Sequence, residues 1–259
     1  MVLETPKQSD IVLKYLSSEN SMDWPILKRY PGYDCCFLAF HPFLIVKEDG
    51  EKTIIPYRHF PSKSAIVKNY NRLSWSEFVK MSGVKDTKTL DDCLAFYHCA
   101  RRFANRNEFE KLISVTEKQD SIVIEAQVDY LPEIIEDDLL RYFAKKGYTE
   151  LCVYDDINDE RNIFKIDSLL DDELNNIHHI RIESPDHKIL IVEDFDERFT
   201  YFLGSKIDIK ELIEELDLEG FYCDEYTASN CSYDIIDDNL VIDWDGKKKI
   251  HSQINLSRL

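Results

Sequence analysis

The second half of the chain contains three short apolar segments joined by two turns, and this pattern constrains the fold more than any other. The segments cover residues 178–183, 188–193 and 198–203. The connections, Ser184 to His187 and Asp194 to Glu197, are rich in turn-forming residues. Because such short connections join antiparallel strands, the pattern predicts a β-meander. Its middle segment is continuously apolar from Ile189 to Val192, which predicts a central strand covered on both faces.

Other helix and strand patterns surround this meander. In the second half they predict strands at 121–128, 149–155 and 161–166 and helices at 134–146 and 209–216. In the first half they predict helices at 11–16, at 24–30, between Ser74 and Gly83, and from Thr89 into the 110s, with strands at 35–46 and 52–57. We therefore expect an α+β fold. Its N-terminal half is helix-rich, and its C-terminal half is mainly an antiparallel β-meander sheet with flanking helices.

Charge divides the chain at about the same place as this change of pattern. The net charge is −18, yet residues 1–118 hold 18 Lys and Arg against 15 Asp and Glu, whereas residues 119–259 hold 14 against 35. We expect two regions, a mainly helical 1–118 with a β-hairpin and an acidic α+β sheet domain at 119–259, either separate or packed as one unit. A field of this sign repels phosphate backbones, so nucleic acid is not an expected partner. It attracts a basic protein or a cation, unless it serves only as a solubilising surface.

Glycine spacing excludes several classes of nucleotide and ester chemistry. The seven glycines are never closer than 16 residues apart, at Gly204 and Gly220. Phosphate-cradling loops and the Gly-x-Ser-x-Gly nucleophile elbow need glycines only a few residues apart. The chain therefore has no P-loop, no dinucleotide fingerprint and no nucleophile elbow.

Metal-ligand spacing is also missing. His178 and His179 are adjacent on a predicted strand and would point to opposite faces. The sequence contains no Cys-x-x-Cys and no His-x-x-x-His. We expect neither a metal site nor a cofactor.

Cysteine usage and hydropathy favour a cytoplasmic protein. The chain has seven cysteines, an odd number, and several of them lie in apolar segments where a thiol behaves as a small buried hydrophobe. Residues 1–10 contain no apolar signal core. The most apolar stretch, Cys35 to Val46, is broken by His41 and Pro42 and is too short to span a bilayer. We expect a reducing cytoplasm, no disulfide framework and no membrane contact.

One segment combines aromatic and acidic residues in the manner of a protein-binding face. It follows a predicted helix and contains Phe221, Tyr222, Asp224, Glu225 and Tyr226. Aromatic side chains anchor interfaces, and carboxylates steer a basic partner. The structural alternative is that Gly220 ends the helix and Phe221 packs on the core from a strand.

An enzyme with a site assembled from distant residues is the rival interpretation. Its candidates are His41 and His98 as bases and Arg101 and Arg102 as cationic groups, lining a cleft between the two halves. No catalytic motif in the sequence places these side chains together.

Three segments together resemble a bacterial domain-of-unknown-function family found in bacilli. They are Trp24-Pro25-Ile26-Leu27 to Tyr33, Phe37-Leu38-Ala39-Phe40-His41-Pro42-Phe43, and Phe199-Thr200-Tyr201-Phe202 to Asp224-Glu225. The resemblance covers most of the chain and implies no activity, ligand or site residue. The last third, ending in Gly-Phe-Tyr-Cys-Asp-Glu, is also similar to small immunity proteins that neutralise bacterial toxins. We therefore expect a non-enzymatic binding or immunity-like protein that engages a basic partner protein through its acidic face.

Overall fold

The computed structural model describes most of the chain, in several stretches. They are residues 25–50, 61–99, 106–118, 123–124, 131–155, 160–170, 180–193, 198–225, 227, 240–242 and 248–250. The helix predicted at 11–16 and the strand at 52–57 lie outside these residues. Within them, eight helices accompany a large antiparallel sheet, which confirms the α+β fold class.

The large sheet has seven strands among the described residues. They are β1 (Cys35–Phe40), β5 (Glu150–Asp155), β6 (Glu160–Lys165), β7 (Ile180–Glu183), β8 (Leu190–Glu193), β9 (Phe199–Gly204) and β10 (Gly220–Tyr222). Their order across the sheet is β10-β1-β9-β8-β7-β5-β6, and every neighbouring pair is antiparallel. Strands β7, β8 and β9 form the predicted meander. Ile189 to Val192 are all buried, as expected for a strand covered on both faces.

Strand β1 enters this sheet from the first half of the chain. It pairs with β9 from Cys35↔Gly204 to Phe40↔Phe199 and with β10 at Phe37↔Tyr222. The predicted strand 35–46 is therefore two strands, because β2 (Phe43–Val46) belongs to another sheet. The chain leaves β1 at His41 and Pro42, and a proline lacks the N–H that would continue a ladder.

The seven-stranded sheet buries a core on each face. The larger core contains Phe37, Ile182 and Phe202 from the sheet and is covered by helices α6 (Glu133–Lys145), α7 (Ile166–Leu170) and α8 (Lys206–Leu216). The opposite face carries Leu38, Val192 and Tyr201, and it packs against the short helix α1 (Ile26–Arg29) and the segment that follows.

A second, three-stranded sheet stands beside the helices of the first half. It consists of β2, β3 (Tyr70–Leu73) and β4 (Val123–Ile124), in the order β3-β2-β4. The helices of this part are α2 (Lys63–Asn69), α3 (Trp75–Ser82), α4 (Thr87–Cys99) and α5 (Arg106–Lys118). The long helix predicted from Thr89 corresponds to α4 and α5, with residues between them outside the description. A hairpin of β11 (Leu240–Ile242) and β12 (Lys248–Ile250) completes the elements.

Candidate functional site

Strand β10 lies at one end of the seven-stranded sheet and carries the aromatic residues that the sequence singled out. Helix α8 ends at Leu216, earlier than Gly220, because Asp217 takes a left-handed conformation with φ of 49°. Strand β10 then begins at Gly220, which lies so close to β1 that an added Cβ would be 1.9 Å from the carbonyl oxygen of Leu38. A glycine is therefore required for this pairing.

The two aromatic side chains of β10 are half-exposed on opposite faces of the sheet. Phe221 is 44% exposed and Tyr222 is 46% exposed. The Phe221 ring meets that of Phe40 at 6.0 Å between centroids, and the Tyr222 ring meets that of Phe37 at 5.1 Å. Each ring is thus held on one side by the sheet and open to solvent on the other, which is how an interface anchor is presented. The strand expected by the structural alternative is present, but Phe221 is not packed into the core.

Exposed carboxylates precede and follow these two residues in the sequence. Asp224 and Glu225 are exposed just beyond the strand, and Asp217 is exposed just before it. From Ser205 to Glu225 the chain has eight carboxylates and two lysines. We call Asp217, Phe221, Tyr222, Asp224 and Glu225 the β10 surface. Tyr226, which we predicted as a member, lies outside the described residues.

The acidic helix α8 adjoins this surface. Three of its exposed carboxylates make ion pairs: Glu211 with Lys146 at 2.6 Å, Glu215 with Lys145 at 2.7 Å, and Glu214 with Lys210 at 3.6 Å. Exposed pairs of this kind add little to stability. They do reduce the net negative charge that the helix presents to solvent.

The outer backbone edge of β10 faces away from β1. The Cys223 N–H donates to the Cys36 carbonyl at 2.9 Å, and the Phe40 N–H donates to the Glu219 carbonyl at 2.8 Å. Backbone groups alternate in direction along a strand, so those of Gly220 and Tyr222 point away from β1. Among the described strands, β1 is the one neighbour of β10.

Contacts at both ends hold the β10 surface in place. Glu219 accepts hydrogen bonds from the first backbone amides of α3, those of Trp75 and, at 3.0 Å, Ser76. Beyond the strand, the Thr227 hydroxyl donates to Asp224 Oδ1 at 2.8 Å, and the Thr227 carbonyl accepts from the Ile26 N–H at 2.8 Å. The surface is therefore built on fixed elements of both halves of the chain.

The chain matches a family model described as "Protein of unknown function (DUF2711)" over residues 22–233. This chain belongs to the DUF2711 family. The match contains all seven strands of the large sheet and the whole β10 surface. No curated protein and no solved structure matches the chain.

A second polar cluster of this DUF2711 chain lies at Glu183, on the face of the sheet that α1 covers. The Tyr33 hydroxyl donates to Glu183 Oε1 at 3.0 Å, the Tyr154 hydroxyl donates to Oε2 at 2.8 Å, and His187 Nδ1 lies 2.7 Å from Oε1. Burial and the Glu183 charge raise the pKa of both tyrosines. Both hydroxyls thus remain donors, and the cluster fastens the segment after α1 to β5 and β7.

The sequence interpretation missed this cluster, although a signal for it exists. Arg181 and Glu183 alternate with Ile180 and Ile182 along β7, and both charged residues are buried. When charged and apolar residues alternate on a strand that lies between two covered strands, the charged side chains are buried on one face of the sheet. Buried charges require partners from elsewhere in the chain.

Of the four candidate residues of the rival enzyme interpretation, the structure describes the side chain of His41. His41 is buried where the chain passes from β1 to β2, its Nε2 shares a hydrogen bond of 2.9 Å with Thr200 Oγ1, and its carbonyl accepts from Trp75 Nε1 at 2.7 Å. His98 belongs to α4, but its side chain is outside the description, as are Arg101 and Arg102. A cleft formed by these residues stays a prediction.

Clusters of metal-ligating side chains and membrane-spanning helices are both missing from the described residues. No group of three or more His, Cys, Asp or Glu side chains in them could hold a metal ion. None of the helices described is both long and apolar enough to cross a membrane.

Proposed function

We propose that this chain is a non-enzymatic binding protein that holds a basic partner protein on the β10 surface. The observation that supports this function is the half-exposure of Phe221 and Tyr222 on an end strand with carboxylates on either side. Aromatic rings bury much apolar area when a partner covers them. The carboxylates increase the rate of encounter with a cationic surface.

The geometry of β10 favours a partner that adds an extended segment to the sheet. The outward backbone groups of Gly220 and Tyr222 provide hydrogen bonds, and the side chains of Phe221 and Tyr222 provide one apolar contact on each face. A partner strand that alternates Lys or Arg with apolar residues would satisfy both requirements.

The opposite end of the sheet offers a matched comparison. Strand β6 also exposes apolar side chains, with Ile163 57% and Phe164 38% exposed. Arg161 and Lys165 lie on the same strand as these two side chains, together with Glu160. Both ends can hold an apolar side chain, but they differ in charge: β6 has two basic residues and one acidic residue, whereas the β10 surface has three carboxylates and no basic residue.

The test is retention of a partner by immobilised full-length protein from native lysate, at low and at raised salt. We expect the wild type to retain a basic protein that raised salt releases, because exposed charges are screened. The double variant F221S/Y222S should lose the partner. The double variant D224N/E225Q, which removes two negative charges, should bind the partner more weakly and with less dependence on salt.

The control is the double variant I163S/F164S, which removes two exposed apolar side chains from the other end of the sheet. It should retain the partner as the wild type does. The proposal is wrong if no salt-sensitive partner is retained, or if F221S/Y222S retains it while its circular dichroism spectrum matches the wild type.

We extend this proposal to an immunity-like role and a cytoplasmic location. The similarity of the last third to immunity proteins supports an immunity-like role, in which the basic partner is a toxin. The cysteines that the structure describes form no disulfide bonds, which supports a cytoplasmic location.

A further inference from the structure

Cys36 and Cys223 face each other across β1 and the end of β10. The register Phe37↔Tyr222 and Leu38↔Phe221 continues to Cys36 opposite Cys223, and the Cys223 N–H donates to the Cys36 carbonyl at 2.9 Å. Directly opposite residues of a hydrogen-bonded pair have Cα atoms about 5.5 Å apart. Disulfides form at Cα separations of about 4.4 to 6.8 Å, so the backbone already has a suitable spacing.

The two thiols are also in contact. The Cys36 and Cys223 side chains share a hydrogen bond, and both lie on the face of the sheet that α1 covers. Cys36 is fully buried, whereas Cys223 is partly exposed. A small oxidant can therefore reach Cys223 first, with Cys36 directly behind it.

The thiol contact makes the two sulfurs chemically different. The hydrogen bond from Cys36 lowers the pKa of Cys223, against the opposing effects of burial and Asp224. The same hydrogen bond, together with burial, raises the pKa of Cys36. A thiolate is the nucleophile in thiol oxidation, so Cys223 has the character of an attacking residue and Cys36 that of a resolving one.

We infer that Cys36 and Cys223 are a reversible oxidation site, at which a hydroperoxide converts the two thiols into a cross-strand disulfide. The Cys223 thiolate attacks the O–O bond of the peroxide. An S–O bond forms, the O–O bond breaks, and the leaving hydroxide takes a proton to become water. The Cys36 sulfur then attacks the Cys223 sulfur and releases its proton, and the S–O bond breaks to yield the second water. Two thiols lose two hydrogens, and hydrogen peroxide is reduced to two waters.

The neighbouring cysteines lack this arrangement. Cys35 is adjacent to Cys36 but points to the opposite face, where it belongs to the larger core. Cys152 is buried on β5 and accepts a hydrogen bond from the Arg161 guanidinium at 3.4 Å. Both are therefore matched controls, one by position along the chain and one by burial on the same sheet.

The experiment is peptide mapping of the full-length protein by mass spectrometry, without reduction, after exposure to stoichiometric hydrogen peroxide. Cleavage after Glu219 and Glu225 separates Cys223 from Cys231. We expect a linked peptide that joins this fragment to the one with Cys35 and Cys36, at a mass lower by two hydrogens. It should disappear in C36A and in C223A, persist in C35A and C152A, and be reversed by a thiol reductant.

A second measurement does not depend on the variants' folding. The disulfide closes a long loop of the chain, so the oxidised wild type should unfold at a higher temperature than the reduced wild type. The inference is overturned if the linked peptide forms in C36A, if it is lost in C35A alone, or if peroxide leaves the wild type with no link between these fragments. None of these outcomes decides the proposed binding function, because that function is tested separately by partner retention.

Discussion

At the scale of single residues, the buried cluster of Lys63 with Glu136 and Asp137 makes stability depend on pH. Lys63 Nζ lies 3.3 Å from Glu136 Oε2 and 2.7 Å from Asp137 Oδ1, and all three side chains are largely buried. Burial raises the pKa of Glu136 to about 7 from an ordinary 4.5, against the attraction of Lys63, and the charges of Asp137 and Glu133 raise it further. Between pH 4.5 and about 7, the folded protein thus holds a proton at Glu136 that the unfolded chain has released.

This proton determines the sign of the pH effect. Between pH 4.5 and about 7 the folded state binds more protons than the unfolded state at this residue, so its contribution to stability falls as pH rises. One proton corresponds to about 1.4 kcal/mol per pH unit at most. Urea unfolding at several pH values should show this decrease in the wild type and a flatter profile in E136Q. The exposed-residue variant E214Q should follow the wild type, and an E136Q profile as steep as the wild type would contradict the assignment.

At the scale of elements, helix ends show how much the local sequence could predict. The capping box of α3, with Ser74 and Glu77, and its end at Gly83 with φ of 70° are as predicted, because all the interacting groups lie within a few residues. In α6, by contrast, two acids of the first turn, Glu133 and Glu136, are buried. Their burial depends on α2, which packs there through Lys63, and the sequence of α6 has no signal for that neighbour.

Glu219 provides the prediction at this scale, because it caps α3 from a distant part of the chain. Its carboxylate accepts from the Trp75 and Ser76 amides, while Ser74 Oγ accepts from the Glu77 amide. An acceptor at a helix N-terminus contributes about 1 kcal/mol. E219A should therefore lower the free energy of unfolding in urea by about 1 kcal/mol, with E219Q in between because it keeps an acceptor but loses the charge. E214A, which removes an exposed carboxylate of α8, should change it little, and equal losses in E219A and E214A would exclude a capping role.

At the scale of the whole molecule, β1 is the feature that the sequence could not place. Its six residues have the apolar pattern of a buried strand, but nothing local identifies β9 and β10 as its neighbours. The predicted boundary near residue 118 followed charge and local pattern, whereas the sheet joins Cys35–Phe40 to strands about 160 residues later. The aromatic and acidic residues from Phe221 to Glu225 could be singled out because, like the meander, they form a continuous segment of the sequence. For the Glu183 cluster the sequence indicates only the alternating charges of β7 and not their partners, because Tyr33, Tyr154 and Glu183 come from three distant segments.

This placement of β1 predicts how the chain behaves when it is divided. Cys35, Phe37 and Ala39 are buried in the larger core, and Cys36 and Leu38 are buried in the core on the other face. A fragment of residues 119–259 lacks all five, so it leaves β9 without a neighbour on one side and β10 without any described partner. We expect this fragment to show no cooperative unfolding transition when followed by circular dichroism, whereas the full chain shows one. Adding a synthetic peptide of residues 25–50 should restore a transition if β1 is the missing part, because the peptide supplies both ladders and both apolar faces. A fragment that unfolds cooperatively without the peptide would show that the acidic region folds independently of β1.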